Sequence, residues 1–221
     1  LDVFTSAGAI AQNTWTHVAV TMDTGGAKLY VDGVQQLVGY NSGTSTTNRF
    51  FDDVNNLDFG SWGVDKYDGS SFTRYFDGFI DDGRVYDRAL SSSDIGELAA
   101  KTFTVTNTND SGLGSLRQAI INANAHGGFD TIDFDIGAAL INDVHTISLS
   151  SLLPAITDAV IIDGSTDSDY VDGRPVIEID GNSLAGDGIY LTSTSDGSTI
   201  RGLIINEFDD AGIHLYESDN N

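Results

Sequence analysis

Aspartate dominates the residues that could do chemistry. Asp-Gly occurs nine times, beginning at Asp32, Asp68, Asp77, Asp82, Asp163, Asp172, Asp180, Asp187 and Asp196. Clustered carboxylates with backbone carbonyls make hard-oxygen sites suited to calcium. Asp-Gly is also a favoured tight-turn dipeptide, so each pair taken alone reads first as a turn. No segment has EF-hand spacing, and the nine-residue glycine-rich calcium repeat is absent. The densest acidic stretch is Asp163, Asp167, Asp169, Asp172, Asp180 and Asp187. Such carboxylates on neighbouring turns would hold calcium or serve as acid and base on a polysaccharide. A lyase also needs a base beside the sugar carboxylate. Only Arg174 and Arg201 stand in this region, and Lys is absent after Lys101. Arg201 reads as a turn or strand-edge residue.

The remaining chemistry is sparse. His17, His126, His145 and His214 lie one per block with no paired metal spacing, so each reads as packing or solvated surface. Cysteine is absent, which excludes disulfides, thiolate zinc sites and a thiol nucleophile. No phosphate-cradling glycine loop, nucleophile elbow or Ser/His/Asp arrangement is visible. Trp62, Tyr67, Phe72 and Tyr75 gather around a polar loop, where aromatic rings would either stack on sugars or line a core. Of these, Trp62, Tyr67 and Tyr75 are the candidate ligand-binding residues.

These residues sit in a chain of 221, with 33 acidic and ten basic side chains and a formal charge of −23. That charge repels phosphate backbones and disfavours a nucleic-acid partner. With 40% hydrophobic residues the chain can bury a core. No apolar run approaches the ~18 residues of a membrane span, and no signal peptide opens the chain. The acidity is uneven: residues 1–100 carry 14 acids and six bases, residues 101–221 carry 19 and four. A net −15 half would repel an acidic polymer. A short helical patch, Ser93–Ala100, marks the seam.

Before the seam the pattern is antiparallel β. Thr16–Met22 and Lys28–Val31 alternate with period two around the turn Asp23-Thr24-Gly25-Gly26, and Asp32-Gly33 begins the next reversal. Leu57–Trp62 reads as a second hairpin, and Tyr75–Tyr86 as a long strand with polar breaks. Alternation implies a sheet packed on a second sheet. Three blocks, Trp15–Thr21, Leu29–Gly33 and Phe76–Ser91, resemble the LamG-like jelly roll of the concanavalin A-like sandwiches over residues 1–100. The resemblance implies sugar or protein binding without catalysis, often beside calcium, and places Asp81 and Asp82 near the metal. Only fourteen residues precede the Trp15 block, so this jelly roll reads as cut at its N-terminus.

After the seam, short strands recur between turns rich in Asp, Gly, Ser and Asn. Gly188-Ile189-Tyr190-Leu191 returns as Gly212-Ile213-His214-Leu215 after 24 residues, and Asp163-Gly164 and Asp180-Gly181 close similar strands 17 apart. Such self-similarity marks a solenoid. A parallel β-helix explains it, with strands stacking at ~4.8 Å, inward ladders of Ile, Leu and Val, and room for about four coils. Its open end needs a cover. Leu116, Ala119, Ile120 and Ala123 make one helical stripe, capped by Ser115 and ended by Gly127-Gly128. Leu116, Ile120 and Ala123 should be buried, with Arg117 and Asn124 facing outward. The block Thr104–Ile120 resembles the cap of secreted β-helix proteins with a CSLREA-type signature, with Gly114 in place of Cys and Gln118 in place of Glu. Leu153–Asp158 and Val160–Gly164 are similar to first coils of pectin-lyase-like solenoids. No second cap precedes Asn221, so the solenoid also reads as truncated.

The expected fold is all-β: a partial jelly-roll β-sandwich (1–100), then a right-handed parallel β-helix (101–221) with an amphipathic cap at 102–128 and coils at 129–221. The expected role is a non-catalytic segment of a large secreted or cell-surface protein, a rigid spacer that binds glycan or a surface protein, with Ca2+ as its expected ion. One alternative is part of a polysaccharide lyase or glycoside hydrolase with its active coils elsewhere. Another is a structural subunit of an extracellular filament or surface layer, with other copies as partners.

Overall fold

The computed structural model describes residues 2–4, 14–37, 39–42, 64–67, 72–75, 79–171 and 173–217. The N-terminal strands are β1 (Asp2–Phe4), β2 (Val18–Asp23), β3 (Gly26–Val31), β4 (Val34–Gln35), β5 (Gly39–Ser42), β6 (Val64–Tyr67) and β7 (Phe72–Tyr75). All their pairings are antiparallel: β1 with β5, β2 with β3 and β3 with β4, and β6 with β7. The β2–β3 hairpin closes where expected, Asp23 facing Gly26 and the Asp23 carboxylate accepting the Gly25 N–H at 2.7 Å. The β3–β4 reversal places Asp32 at φ 45° and Gly33 at φ 79°. Positive φ at both central residues is the twist-matched hairpin turn that Asp-Gly provides.

Of the long strand expected over 75–86, Tyr75 ends β7, residues 76–78 lie outside the described residues, and 79–86 form no strand. Residues 79–90 pair with no strand among the described residues, and Phe79 and Val85 are exposed. Period-two alternation needs a facing layer to become a buried strand, and none of the described elements supplies one here. Leu57–Trp62 lies outside the described residues. Helix α1 (Ser92–Ala99) follows; the Ser91 side chain accepts the Asp94 N–H while the Asp94 carboxylate accepts the Ser91 N–H. Ile95 and Ala99 are its buried face.

The second part is ordered by a rotation through three parallel ladders. Strand β8 (Thr102–Val105) and helix α2 (Leu116–Ala125) lead into β9 (Asp130–Phe134), β10 (His145–Ser148), β11 (Val160–Asp163), β12 (Ile177–Leu184), β13 (Ile189–Leu191), β14 (Thr199–Arg201), β15 (Leu203–Phe208) and β16 (Ile213–Leu215). The first ladder is β8-β9-β11-β14 and the second β10-β12-β15. The third runs from Ile156 through β13 to β16. The chain visits them in that order three times. Ile132, Ile162 and Ile200 stack on the first ladder, and Ile147, Ile179 and Ile205 on the second. Ile132, Ile147, Ile162, Ile177 and Ile179 are essentially inaccessible to water, each contributing ~1.5–3 kcal/mol of burial.

Ile189 registers with Ile213 and Leu191 with Leu215, as the 24-residue repeat predicts. Ile189 and Leu191 are buried, whereas Ile213 and Leu215 are half exposed. Twenty-four is nevertheless not the general spacing. Thr131 pairs with Ile161, 30 positions along, and Ile161 with Thr199, 38 further, so the circuits are three rather than four. Asp163 and Asp180 are not equivalent positions either. Asp163 registers with Asp133 and Arg201, Asp180 with Ser148 and Asn206. Their 17-residue interval steps between two ladders within one circuit, and turns of uneven length absorb the rest.

Close stacking at the corners explains the recurring glycines. A Cβ on Gly164 would collide with the Gly202 carbonyl, and one on Gly188 would lie 2.5 Å from the Gly212 carbonyl.

Candidate functional site

Asp81 and Asp82 are both exposed, and Asp82 sits at φ 53°. The Asp81 carboxylate accepts the Asp82 N–H at 2.8 Å. Both oxygens of Asp82 are engaged by Arg84, which donates from Nε at 3.1 Å and from Nη2 at 2.7 Å. A cation here would have to displace the Arg84 guanidinium. Trp62 lies outside the described residues. Tyr67 and Tyr75 fall at opposite ends of the β6–β7 hairpin, where Tyr67 pairs with Phe72 and Tyr75 with Val64.

The acidic stretch of the stack is largely engaged by its own neighbours. Asp163 accepts from Arg201 Nη2 at 2.6 Å and from the Ser165 N–H at 3.0 Å. Burial pushes its carboxyl upward, but these two partners outweigh that and leave it below the usual carboxylate range. Arg201 is thus a strand residue joining two circuits, in keeping with its edge reading. Glu178 accepts from Thr146 Oγ1 at 2.6 Å on one side and Asn206 Nδ2 at 2.9 Å on the other. Asp187 meets His214 Nδ1 at 2.7 Å and accepts the Ala211 N–H at 3.1 Å. Asp172 lies outside the described residues.

Helix α2 buries Leu116, Ala119, Ile120 and Ala123, and Ser115 caps it by accepting the Gln118 N–H. Its polar residues depart from expectation. Arg117 does not face outward: its guanidinium donates to the Leu152 carbonyl at 2.6 Å, the Ser151 carbonyl at 2.7 Å and the Asp110 carboxylate at 2.5 Å. Asn124 donates to the Ala155 carbonyl at 2.8 Å and accepts the Thr157 N–H at 2.9 Å. The reason is that segment 151–157 presents backbone groups that no ladder satisfies, and long polar side chains on α2 reach them. Gly114 stands at φ 78°, and a Cβ there would strike Thr106 Oγ1. The local backbone therefore accommodates glycine where the resembled signature has cysteine.

A second cluster joins the two parts of the chain. His126, buried at the end of α2, places Nδ1 2.9 Å from the Asp130 carboxylate, and its Nε2 lies 3.7 Å from Asp32 in the β3–β4 turn. Lys101 Nζ is 3.8 Å from the same Asp32 oxygen, and its N–H donates to Asp130 at 2.9 Å. Burial pushes the carboxyls of Asp130 and Asp158 up. The sequence signal for this cluster was the i, i+4 spacing of His126 and Asp130 after the helix. Asp32 could not be read as its partner, because the contact spans 94 positions.

Residues 1–96 match the family model of the concanavalin A-like lectin/glucanases superfamily, which supports the LamG-like resemblance there. A solved S-layer domain-containing protein from Clostridium thermocellum is 31% identical over 42% of this chain and 43% of its own, with a TM-score of 0.35. The chain thus spans less than half of that solved chain. No curated protein matches. No helix among the described residues is long and apolar enough to cross a membrane.

Proposed function

We propose that this chain is a non-catalytic, extracellular glycan-contacting segment, a lectin-like unit joined to a right-handed parallel β-helix that acts as a spacer. The observation that carries the reading is the match of residues 1–96 to the concanavalin A-like lectin/glucanases superfamily. The β-helix reading is supported by the three visits to the same three parallel ladders and by their continuous isoleucine stack. The non-catalytic reading is supported by the carboxylates of the stack. Asp163, Glu178 and Asp187 each face a neighbouring strand's side chain at hydrogen-bond distance, a use that stiffens the stack. An acid–base pair would instead need a substrate-sized gap between carboxyls.

The test is retention of the 221-residue chain on a glycan array and in affinity electrophoresis through soluble polysaccharides, with reducing ends measured in the same mixtures. Retention without new reducing ends is expected. Release of new ends or of unsaturated products would establish the enzyme reading in its place, and absence of retention on any glycan would remove the lectin reading.

A further inference from the structure

On β10, His145 and Ile147 share one buried face of the strand, with Thr146 and Ser148 on the other. In the next two rungs, Ile177 and Leu203 occupy the positions that register with His145. An imidazole therefore fills a position that the ladder elsewhere gives to aliphatic side chains. Its side chain is 1% exposed and its Nε2 edge meets two carboxylates, Asp169 at 3.1 Å and Asp167 at 3.8 Å. The Asp167 side chain is fully buried, while that of Asp169 is 43% exposed.

The carboxylates are held in place from several directions. Asp167 accepts the Ile136 N–H at 3.0 Å on one oxygen and the Asp169 N–H at 3.0 Å on the other. The loop that carries them is fastened at its start, where the Asp163 carboxylate accepts the Ser165 N–H and Thr166 Oγ1 accepts the Phe134 N–H at 2.8 Å. One ligand atom from each of His145, Asp167 and Asp169 lies within 4.8 Å of the others. Among the described residues, no Lys or Arg pairs with either carboxylate. Two carboxylates against one imidazole leave negative charge at a corner where His145 and Asp167 are buried, an arrangement that a bound cation would neutralise.

We propose that His145, Asp167 and Asp169 form a divalent-metal site of the zinc type, fastening the 163–170 loop to β10. With its proton on Nδ1, His145 offers a neutral Nε2 lone pair. One such nitrogen with two carboxylate oxygens suits a borderline ion of low coordination number, and the exposed side of Asp169 leaves a fourth position to water. Calcium, which takes six to eight oxygens, is poorly served by this set. The site is separate from Asp81 and Asp82 and does not depend on glycan binding.

The proposal is tested by calorimetric titration of the EDTA-dialysed 221-residue chain with zinc and with calcium, beside thermal melts and the visible spectrum of the cobalt-loaded chain. One equivalent of zinc should bind and raise Tm, and cobalt should give d–d bands of nitrogen–oxygen coordination. Asp169→Asn alters a half-exposed side chain, should leave the metal-free circular dichroism unchanged, and should weaken zinc by about tenfold or more. His145→Gln should abolish the cobalt bands. Absence of a one-to-one zinc isotherm would overturn the proposal. So would unchanged zinc affinity in Asp169→Asn, or calcium binding as tightly as zinc.

Discussion

Single side chains in this molecule mostly hold one circuit of chain to the next, and a few are held at a cost. Asp158 is the clearest of the second kind. Its carboxylate accepts the Ala159 N–H at 2.9 Å, yet burial dominates and raises its pKa above the ordinary 3.8. A carboxyl whose folded pKa is raised opposes folding while it is ionised, and the opposition fades as pH falls through the raised value. Asp158→Asn is therefore expected to raise Tm at pH 7, and the gain should shrink with acidification and vanish below the ordinary carboxylate pKa. Melts from pH 7 to pH 3.5 measure it. Asp163 carries the opposite sign: Arg201 and Ser165 hold it low, so its contribution is present near neutrality and is lost only in stronger acid. A gain from Asp158→Asn that persisted unchanged at low pH would mean that a lost hydrogen-bond geometry, not a charge, governs the site.

Among elements, α2 has two jobs on two faces. Its apolar stripe covers the first circuit, and its polar face captures the backbone of 151–157 through Arg117 and Asn124. The two jobs separate experimentally. Leu116→Ala removes a side chain with no exposed surface, and a cost of ~2–5 kcal/mol is expected. Arg117→Ala leaves the stripe intact but removes the donor to three carbonyls, those of Asp110, Ser151 and Leu152, and to one oxygen of the Asp110 carboxylate, where a loss of ~1.5–3 kcal/mol is expected for bonds to a charged donor. Urea unfolding gives both values, and limited proteolysis distinguishes them. Leu116→Ala should expose the whole 102–128 cap, and Arg117→Ala should open cleavage near 151–157 first. Identical cleavage patterns would show that the helix docks as one unit.

For the molecule as a whole the ruling quantity is its charge of −23. Compact carboxylates repel one another, and added salt screens them over about 10 Å at 0.1 M. Tm should therefore rise with sodium chloride. Calcium at matched ionic strength should add little to that in the unaltered chain, because Arg84 already occupies Asp82. In Arg84→Ala, Asp82 is freed beside the exposed Asp81, and calcium's advantage over sodium should grow if they are a calcium pair. Equal responses to the two ions in that variant would remove the calcium reading at these residues.

Local and periodic features were legible in the sequence for reasons that act over a few residues. Turn dipeptides such as Asp32-Gly33 set their own backbone angles, and Ser91 and Ser115 cap helices through bonds three positions away. The apolar stripe of α2 follows from helical spacing, and the 24-residue repeat brings Ile189 over Ile213 because one full circuit of the chain separates them. Tertiary structure decided what depends on partners distant in the chain. Whether the alternating residues 79–86 become a strand depends on a facing layer, and the true rungs of Asp163 and Asp180 depend on turns of 24 to 38 positions per circuit. Arg117 turned inward because unsatisfied carbonyls lay 34 and 35 positions away. His145, one solitary histidine in the sequence, acquired two carboxylates only when the loop after β11 folded back over β10. Sequence spacing carries no record of such meetings, since they are set by how the ladders stack and by where each intervening turn returns the chain.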